Sequence, residues 1–388
     1  MILALSIAGV ILALIPAGLF FKNLPLFLFP QPERPLASES DDERGVEASI
    51  QERRSVSVLI PARDEEASIE RSVLAALASK DVDVEVVVMD DNSQDRTAEI
   101  VQSLAEESER VSYRLGGELP DGWNGKQFAC RQLADAASHD CLLFLDADVR
   151  LHPDTLEQMC QLLQQRELAL LSVFPHQETE TWLEKWIIPM MHFILLGFLP
   201  LERMRASPHP AYAAGCGQAF LTTKSDYTRA GTHEAIRGSR HDGLKLPRAY
   251  RTAGLMTDVY DGSRLADCRM YQSAGEVVRG VLKNASEGIA NPKLIVPFSI
   301  LLLGGSCMPL VTFVLSVIEM QPGAMLVSVL GIVLGHTPRA LAAKSLNQSW
   351  QGVFFHAPAT LVFVVLQWVA LMNHLLGRQV AWRGRTAS

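Results

Sequence analysis

Two hydrophobic textures alternate along this chain. Near both ends apolar residues run on without polar interruption, whereas the middle carries short apolar blocks that each stop at a group of acids. Residues 55–60 (SVSVLI) are β-branched and apolar and end at Pro61-Ala62-Arg63-Asp64-Glu65-Glu66, after which Ile69, Val73, Leu74 and Leu77 recur at helical spacing. Residues 84–89 (VEVVVM) end at Asp90-Asp91-Asn92-Ser93-Gln94-Asp95-Arg96-Thr97 and lead into a helix whose apolar positions include Ala98, Ile100, Val101 and Leu104. A third block, 141–145, ends at Asp146-Ala147-Asp148. Strands alternating with helices predict an α/β fold with a mostly parallel sheet, in which ligands gather beyond the carboxyl ends of the strands. All three acidic groups fall at such ends.

The pair Asp146 and Asp148 carries a specific chemistry. In an extended backbone two acids one residue apart share a face, where they repel unless a cation sits between them. Mg²⁺ or Mn²⁺ bound by one or two carboxylates completes its shell with waters and a substrate's phosphates, so the pair points to a nucleotide-diphosphate site. Any single acidic group also reads as a helix cap or solvated turn, and Asp91, Asn92 and Ser93 are good capping residues. Three such groups on one rim of one sheet are better explained as a site.

The uninterrupted apolar runs predict a membrane protein. Residues 2–21 are long enough to span a bilayer, lack a basic start and are followed by Lys22, which favours an uncleaved anchor over 1–22, a cleavable signal being the alternative. Residues 23–54 read as a tether, rich in Pro, Ser and charge from Gln31 onward. Within 291–377 three more apolar segments follow, at 294–318, 324–334 and 353–376, the middle one short; 378–388 is a basic tail with Arg378, Arg383 and Arg385. Arg339 and Lys344 favour an internal loop, yet three crossings would leave the tail outside, against the positive-inside tendency, so one segment is expected not to cross fully. A run at 182–201, broken by Pro189 and ending at Pro200, is expected to lie in the interface. The mean hydropathy of +0.13 fits this reading, and the net charge of -8 argues against a nucleic-acid partner. Six scattered cysteines fit a reducing cytoplasm without a structural zinc site. The expectation is a multi-pass protein of the cell (inner) membrane with a cytoplasmic catalytic region over 55–290.

Pro61-Ala62-Arg63-Asp64-Glu65, Asp90 to Thr97 and Asp146-Ala147-Asp148, in this order and spacing, resemble the nucleotide-binding half of family 2 glycosyltransferases with the GT-A fold. Between them, residues 119–130 (LPDGWNGKQFAC) resemble a segment of a narrower membrane-bound branch, the carotenoid-acid and hopanoid-associated glycosyltransferases. The resemblance implies a UDP- or GDP-sugar donor, a Mg²⁺ or Mn²⁺ cofactor and a lipid acceptor. It places Pro61, Arg63 and Glu65 around base and ribose, and has Asp91 accept a hydrogen bond from the nucleobase. Asp146 would face ribose or metal, and Asp148 would be the principal metal ligand. Lys126 supplies a point charge suited to a phosphate, and Gly122 and Gly125 allow close backbone approach. Residues 213–220 (AAGCGQAF) resemble the small-residue segment under the acceptor.

By the same resemblance, residues 237–246 match the place where relatives carry an E-D or x-D pair before a helix, which makes Asp242 the candidate general base; displacement at an anomeric carbon needs a carboxylate opposite the leaving nucleotide, and inversion should follow. His241 beside it reads as a surface histidine, with tuning of that acid as the alternative. The Q-x-x-R-W string of processive relatives is absent, and the stretch from Arg269 through Arg279 to Lys283 and Asn284 stands in its place. This favours one sugar per acceptor. Arg269 and Arg279 are candidate diphosphate contacts, or charges of an amphipathic helix on the membrane surface. The alternatives are transfer to a polyprenyl phosphate and a non-catalytic membrane scaffold on a transferase fold. A nucleotidyltransferase is disfavoured because its glycine-rich opening is missing.

Overall fold

The computed structural model describes residues 1–30, 54–285 and 287–377; the expected tether from 31 to 53 and the basic tail lie outside the described residues. Eight strands form one sheet: β1 (Arg54–Ala62), β2 (Val82–Asp90), β3 (Val111–Leu115), β4 (Cys141–Leu145), β5 (Val149–Leu151), β6 (Leu170–Gln177), β7 (Ala219–Thr223) and β8 (Thr257–Cys268). Their order is β3-β2-β1-β4-β7-β6-β8-β5. The half from β3 to β4 is parallel, as the strand–helix alternation requires. Beyond it β7 runs antiparallel to both β4 and β6, and β5 antiparallel to β8, so the sheet as a whole is mixed. For β5 the reason is connectivity: β4 passes into it through the short turn at Asp146-Ala147-Asp148, with no helical crossover to return the chain in parallel.

Alternation along the strands covers both faces of the sheet. Val56, Val58 and Ile60 of β1 face one core with Ile69, Val73, Val101, Leu104 and Leu156, while Leu59 faces a second core with Ala129, Cys130 and Leu133 of the helix Gly125–Ala136. Helices Ile69–Leu77 and Thr97–Glu107 follow β1 and β2 as predicted. The second is capped by Asp95, whose carboxylate takes the Thr97 N–H at 2.9 Å, and not by residues 91–93.

The apolar ends are helical. Helices Ile2–Phe27, Pro322–Ser345 and His356–Leu375 are long and apolar enough to cross a membrane, and Ile295–Ser306 with Met308–Ile318 form a pair bent by 45°. The first helix continues past Lys22 to Phe27, since Asn23, 1% exposed, faces protein and not solvent. The segment read as short, 324–334, is the core of a 24-residue helix, because Gly335, Pro338 and Arg339, which lower the hydropathy, are turned inward and buried. Arg339 is therefore not a loop charge.

The run at 182–201 folds into helices Trp182–Ile187 and Met190–Phe198, with a third helix, Leu201–Ala206, following. Gly197 sits so close to the first helix that a Cβ there would lie 3.1 Å from Pro16 Cβ. Asn23 completes this junction. Pro200 has no N–H to give Leu196 O, and Asn23 Nδ2 supplies donors to Leu196 O at 2.8 Å and Leu199 O at 2.6 Å, while Asn23 Oδ1 accepts from Leu201 N at 3.1 Å. Asn23→Leu should leave these groups buried and unpaired and cost on the order of 2 kcal/mol or more. Thermal unfolding of the detergent-solubilised protein reads this directly; an unchanged transition would mean that the first helix is not pinned here.

Candidate active site

The parallel register sets the carboxyl ends of β2, β1 and β4 side by side, so the loops after Asp90, Ala62 and Leu145 share one rim. Arg63 reaches from the β1 loop to the β2 loop, donating to Asp91 O at 2.6 Å with Asp91 Oδ2 at 3.3 Å. The two loops are laced further by Glu65 N to Thr97 Oγ1 at 2.8 Å and Asp64 N to Ser93 Oγ at 3.0 Å. Pro61 stands half-buried on β1 just before them. Asp91 is buried at the base of this corner, and its carboxylate shares Arg63 with the backbone.

Asp146 and Asp148 do not sit on an extended strand. β4 stops at Leu145, and the acids occupy a turn closed by Val149 N to Asp146 O at 3.1 Å and anchored by Asp146 N to Gln218 O at 3.0 Å. A turn sends the two side chains to different partners. Asp146 Oδ1 lies 2.5 Å from Lys126 Nζ, the same ammonium lies 2.7 Å from Asp242 Oδ2, and it donates to Gly217 O at 3.3 Å. Lys126 enters from the first turn of helix Gly125–Ala136, whose start is fixed by Asn124 Oδ1 accepting from Lys126 N at 3.1 Å. Burial works against its charge, but Asp146 and Asp242 override this and hold it well above the ordinary lysine range.

Asp242 opens helix Asp242–Thr252, its Oδ1 accepting from Gly243 N at 2.8 Å, so it serves the helix end and the site together. Burial acts to raise its carboxyl; Lys126 prevails and holds it below the usual carboxylate range. The space it occupies exists because residue 217 is glycine: a Cβ there would overlap the Asp242 carboxylate, and one at Gly215 would fall 2.7 Å from Phe220 Cε1. The small-residue segment thus seats Asp242. His241 is half-buried and acts electrostatically on Asp242, unlike the surface histidine expected.

Asp148 is the exception among these charges. Its Oδ1 is buried and accepts no hydrogen bond among the described residues. Burial, then the charges of Asp146 and Glu65, push its carboxyl up to about 7. An orphaned carboxylate oxygen raised by neighbouring negative charge is the environment a divalent cation relieves, so these residues fit a metal. Among the described residues no group of three His, Cys, Asp or Glu side chains could hold a metal ion, which leaves most of a coordination shell to phosphates and water.

Two candidates stand elsewhere. Arg269 is committed to Glu180 at 2.6 Å and Glu184 at 3.5 Å, so it ties β8 to helix Trp182–Ile187; sequence could not show those partners. Arg279 is exposed on helix Ala274–Ala285. The cation of that helix that does reach the cluster is Lys283, which feels Lys126, Asp242 and Asp146 and is pushed down to about 8 by burial and then by Lys126. The amphipathic period of the helix, with Val277 on its buried face, was the signal that could have singled it out.

Residues 57–225, which hold the rim, the acidic turn and the glycine seat, match the model of the family Glycosyl transferase family 2. This stretch is similar to the family 2 glycosyltransferases. Curated relatives include 4,4'-diaponeurosporenoate glycosyltransferases of Staphylococcus aureus (strain USA300), 31% identical over 246 residues, and of Staphylococcus haemolyticus, 29% identical over 241 residues. These alignments cover 62% and 61% of this chain and 63% of each relative, so the similarity spans less than two thirds of the relatives' length. The mannosyltransferase PcManGT from Pyrobaculum calidifontis, solved with GDP-Man and Mn²⁺, superposes over 97% of this chain and 99% of its own at a TM-score of 0.51 and 14% identity. This chain and that structure share the GT-A fold.

The raised Asp148 has a thermodynamic consequence. Its folded value lies above the ordinary 3.8, so without metal the folded state loses stability as pH rises from about 4 to about 7, where the unfolded chain has already ionised. Mn²⁺ should therefore raise the melting temperature more at pH 7.5 than at pH 5.5. Asp148→Asn should raise the metal-free melting temperature at pH 7.5 and abolish the Mn²⁺ response. An equal Mn²⁺ response in wild type and variant would remove Asp148 from the metal shell.

Proposed function

We propose that this chain is a membrane-bound, inverting glycosyltransferase that moves a single sugar from a UDP- or GDP-sugar to a hydroxyl or carboxyl of a lipid, with Mg²⁺ or Mn²⁺ as cofactor. The observation that carries the reading is the arrangement of Lys126 between Asp146 and Asp242, beside the orphaned Asp148 oxygen, at the rim where Arg63 and Asp91 form a corner. The carotenoid-acid glycosyltransferases among its relatives favour a lipid acceptor.

In this reading Pro61, Arg63, Glu65 and Asp91 hold base and ribose, and Asp148 with Asp146 holds the metal. A divalent cation bound there would stabilise negative charge on the departing diphosphate. Lys126, shared by two carboxylates in the donor-free chain, has a reason to turn toward phosphate once the diphosphate offers a denser negative charge. Its departure removes the interaction that depresses Asp242, making that carboxylate a stronger base just when an acceptor proton has to be taken. Lys283 adds a second cation on the same side. Where the acceptor's nucleophile is already a carboxylate, Asp242 orients it and no proton is moved.

Packing supports a particular membrane arrangement. The first helix and Pro322–Ser345 run side by side in the same direction, with Ser6 against Ser328 at one level and Phe20 and Leu24 with Ala342 and Leu346 at the other. The bent pair starts beside the catalytic domain and passes Leu12 and Ala13 at Gly305. His356–Leu375 instead runs back along Ile295–Ser306, from His356 at Ser306 to Ala370 and Leu371 at Ala285, Ala290 and Ile295, ending on the catalytic side. Three crossings then suffice. This arrangement would leave Lys22, Lys293 and Lys344 on the catalytic side and Met1 with the Glu319-Met320-Gln321 turn on the other, and the positive-inside tendency then favours a cytoplasmic catalytic side. A reporter fused after Ser388 should be active only in the cytoplasm; periplasmic activity would overturn this topology.

For the chemistry, Asp242→Asn should lower kcat on a hydroxyl acceptor by roughly 10²- to 10⁴-fold. Nucleotide affinity should be unchanged or tighter, since Lys126 is released from one partner. Normal turnover would reject Asp242 as base, and weakened nucleotide binding with normal turnover would move it into the donor site.

A further inference from the structure

The side-chain oxygen of Gln218 has both acceptor positions filled although the side chain touches none of the acids itself. Gln218 is 5% exposed, and its Oε1 accepts from Gln177 Nε2 at 2.7 Å and from Cys216 Sγ at 3.3 Å. Gln177 is held in turn, its Nε2 also donating to Pro175 O at 3.0 Å, which fixes the amide orientation of both glutamines. The remaining Gln218 group, Nε2, therefore has to act as donor, and it points at Cys268 Sγ at 2.8 Å. Cys268 is fully buried at the end of β8, and with its sulfur accepting from Gln218, its single S–H is left to donate to Asp148, with which it is hydrogen-bonded. At the same time the backbone carbonyl of Gln218 takes the Asp146 N–H at 3.0 Å.

One residue thus reaches both acids of the turn, Asp146 through the main chain and Asp148 through the thiol. We infer that Gln218 and Cys268 are positioning residues for the metal site: by fixing one Asp148 oxygen with the thiol, they turn the orphaned Oδ1 toward the cation. The inference rests on the reading of Asp148 as metal ligand and adds the residues that orient it. Partners behind a metal ligand commonly contribute 10- to 100-fold in metal affinity.

The test is Mn²⁺ affinity of the full-length, detergent-solubilised protein, measured by electron paramagnetic resonance without donor or acceptor, with melting temperature as a folding check. Cys268→Ala, which removes the donor, should weaken Mn²⁺ about 10- to 100-fold, and Cys268→Ser, which keeps an X–H donor, should recover most of the loss. Gln218→Met, similar in size but without the amide, should weaken Mn²⁺ by a comparable factor. In turnover the loss should appear as a raised Mn²⁺ requirement, with kcat restored at saturating Mn²⁺. Wild-type Mn²⁺ affinity in Cys268→Ala, or a serine variant no better than the alanine one, overturns the positioning role alone. If Gln218→Met does not fold, the two Cys268 variants decide. Absence of Mn²⁺ binding by the wild type overturns the metal reading itself and the positioning role with it.

Discussion

The catalytic half of this protein depends on one ammonium group. Lys126 is the shared counter-charge for Asp146 and Asp242, which belong to a turn after β4 and to the start of helix Asp242–Thr252. Two carboxylates brought together in a half-buried cleft repel with an energy that grows as water is excluded, so the cleft closes only around a cation. Its placement is over-determined from the backbone: Asn124 starts its helix, Gly217 O accepts one of its protons, and the missing side chain at residue 217 leaves room for the Asp242 carboxylate. A residue larger than glycine at 217 would displace Asp242 and leave Lys126 with one carboxylate partner. The same logic separates Asp148 from the pair, because among the described residues no cation donates a hydrogen bond to its buried Oδ1.

How far the sequence was legible follows from which interactions are local. The strands and following helices could be read because alternation and helical periodicity are imposed by burial along each segment, and the three acidic groups could be placed on one rim because parallel strands end together. Partners that lie far apart in sequence were not legible. Nothing near Arg269 announces that Glu180 and Glu184 claim it, and nothing near Lys126 announces a bond to residues 20 and 116 positions further on. The extended geometry expected for Asp146 and Asp148 gave way to a turn because β5 pairs with β8 on the far edge of the sheet, so the chain has to leave β4 sharply. Gln218 was hidden among small residues, where its size should have stood out.

The membrane segments misled in a different way. Hydropathy averages over a helix and cannot tell a polar residue facing solvent from one facing protein. Pro322–Ser345 looked short because Arg339 and its neighbours lower the average, yet Arg339 is 1% exposed and its Nη2 meets Trp186 O at 3.3 Å, at the end of the short helix Trp182–Ile187. A cation suits a helix carboxyl end, and inside a bilayer-facing bundle it has to find protein carbonyls because lipid offers none. Asn23 does the same for the helix that ends before Pro200. Polar groups inside the apolar helices therefore mark where these helices dock on the catalytic domain.

Such docking has force only if the helices are rigid with respect to one another, and small residues supply that rigidity. A Cβ at Gly335 would fall 2.7 Å from Gly305 O, and one at Gly305 would fall 3.1 Å from Leu12 O, so three helices meet backbone to backbone at one level. In lipid, where apolar burial gives helices little reason to associate, close backbone approach of this kind is the main attraction available. From that point the first helix and Pro322–Ser345 run together toward the catalytic side, where Phe20, Leu24, Ala342 and Leu346 join Leu196, Leu201, Phe174 and Val259 in one core. Phe174 and Val259 belong to β6 and β8, and β8 ends at Cys268, which holds Asp148. The depth of the acidic turn relative to the helix bundle is thereby set by packed side chains and not by the length of a linker, which is what the proposed transfer to a lipid at a fixed height requires.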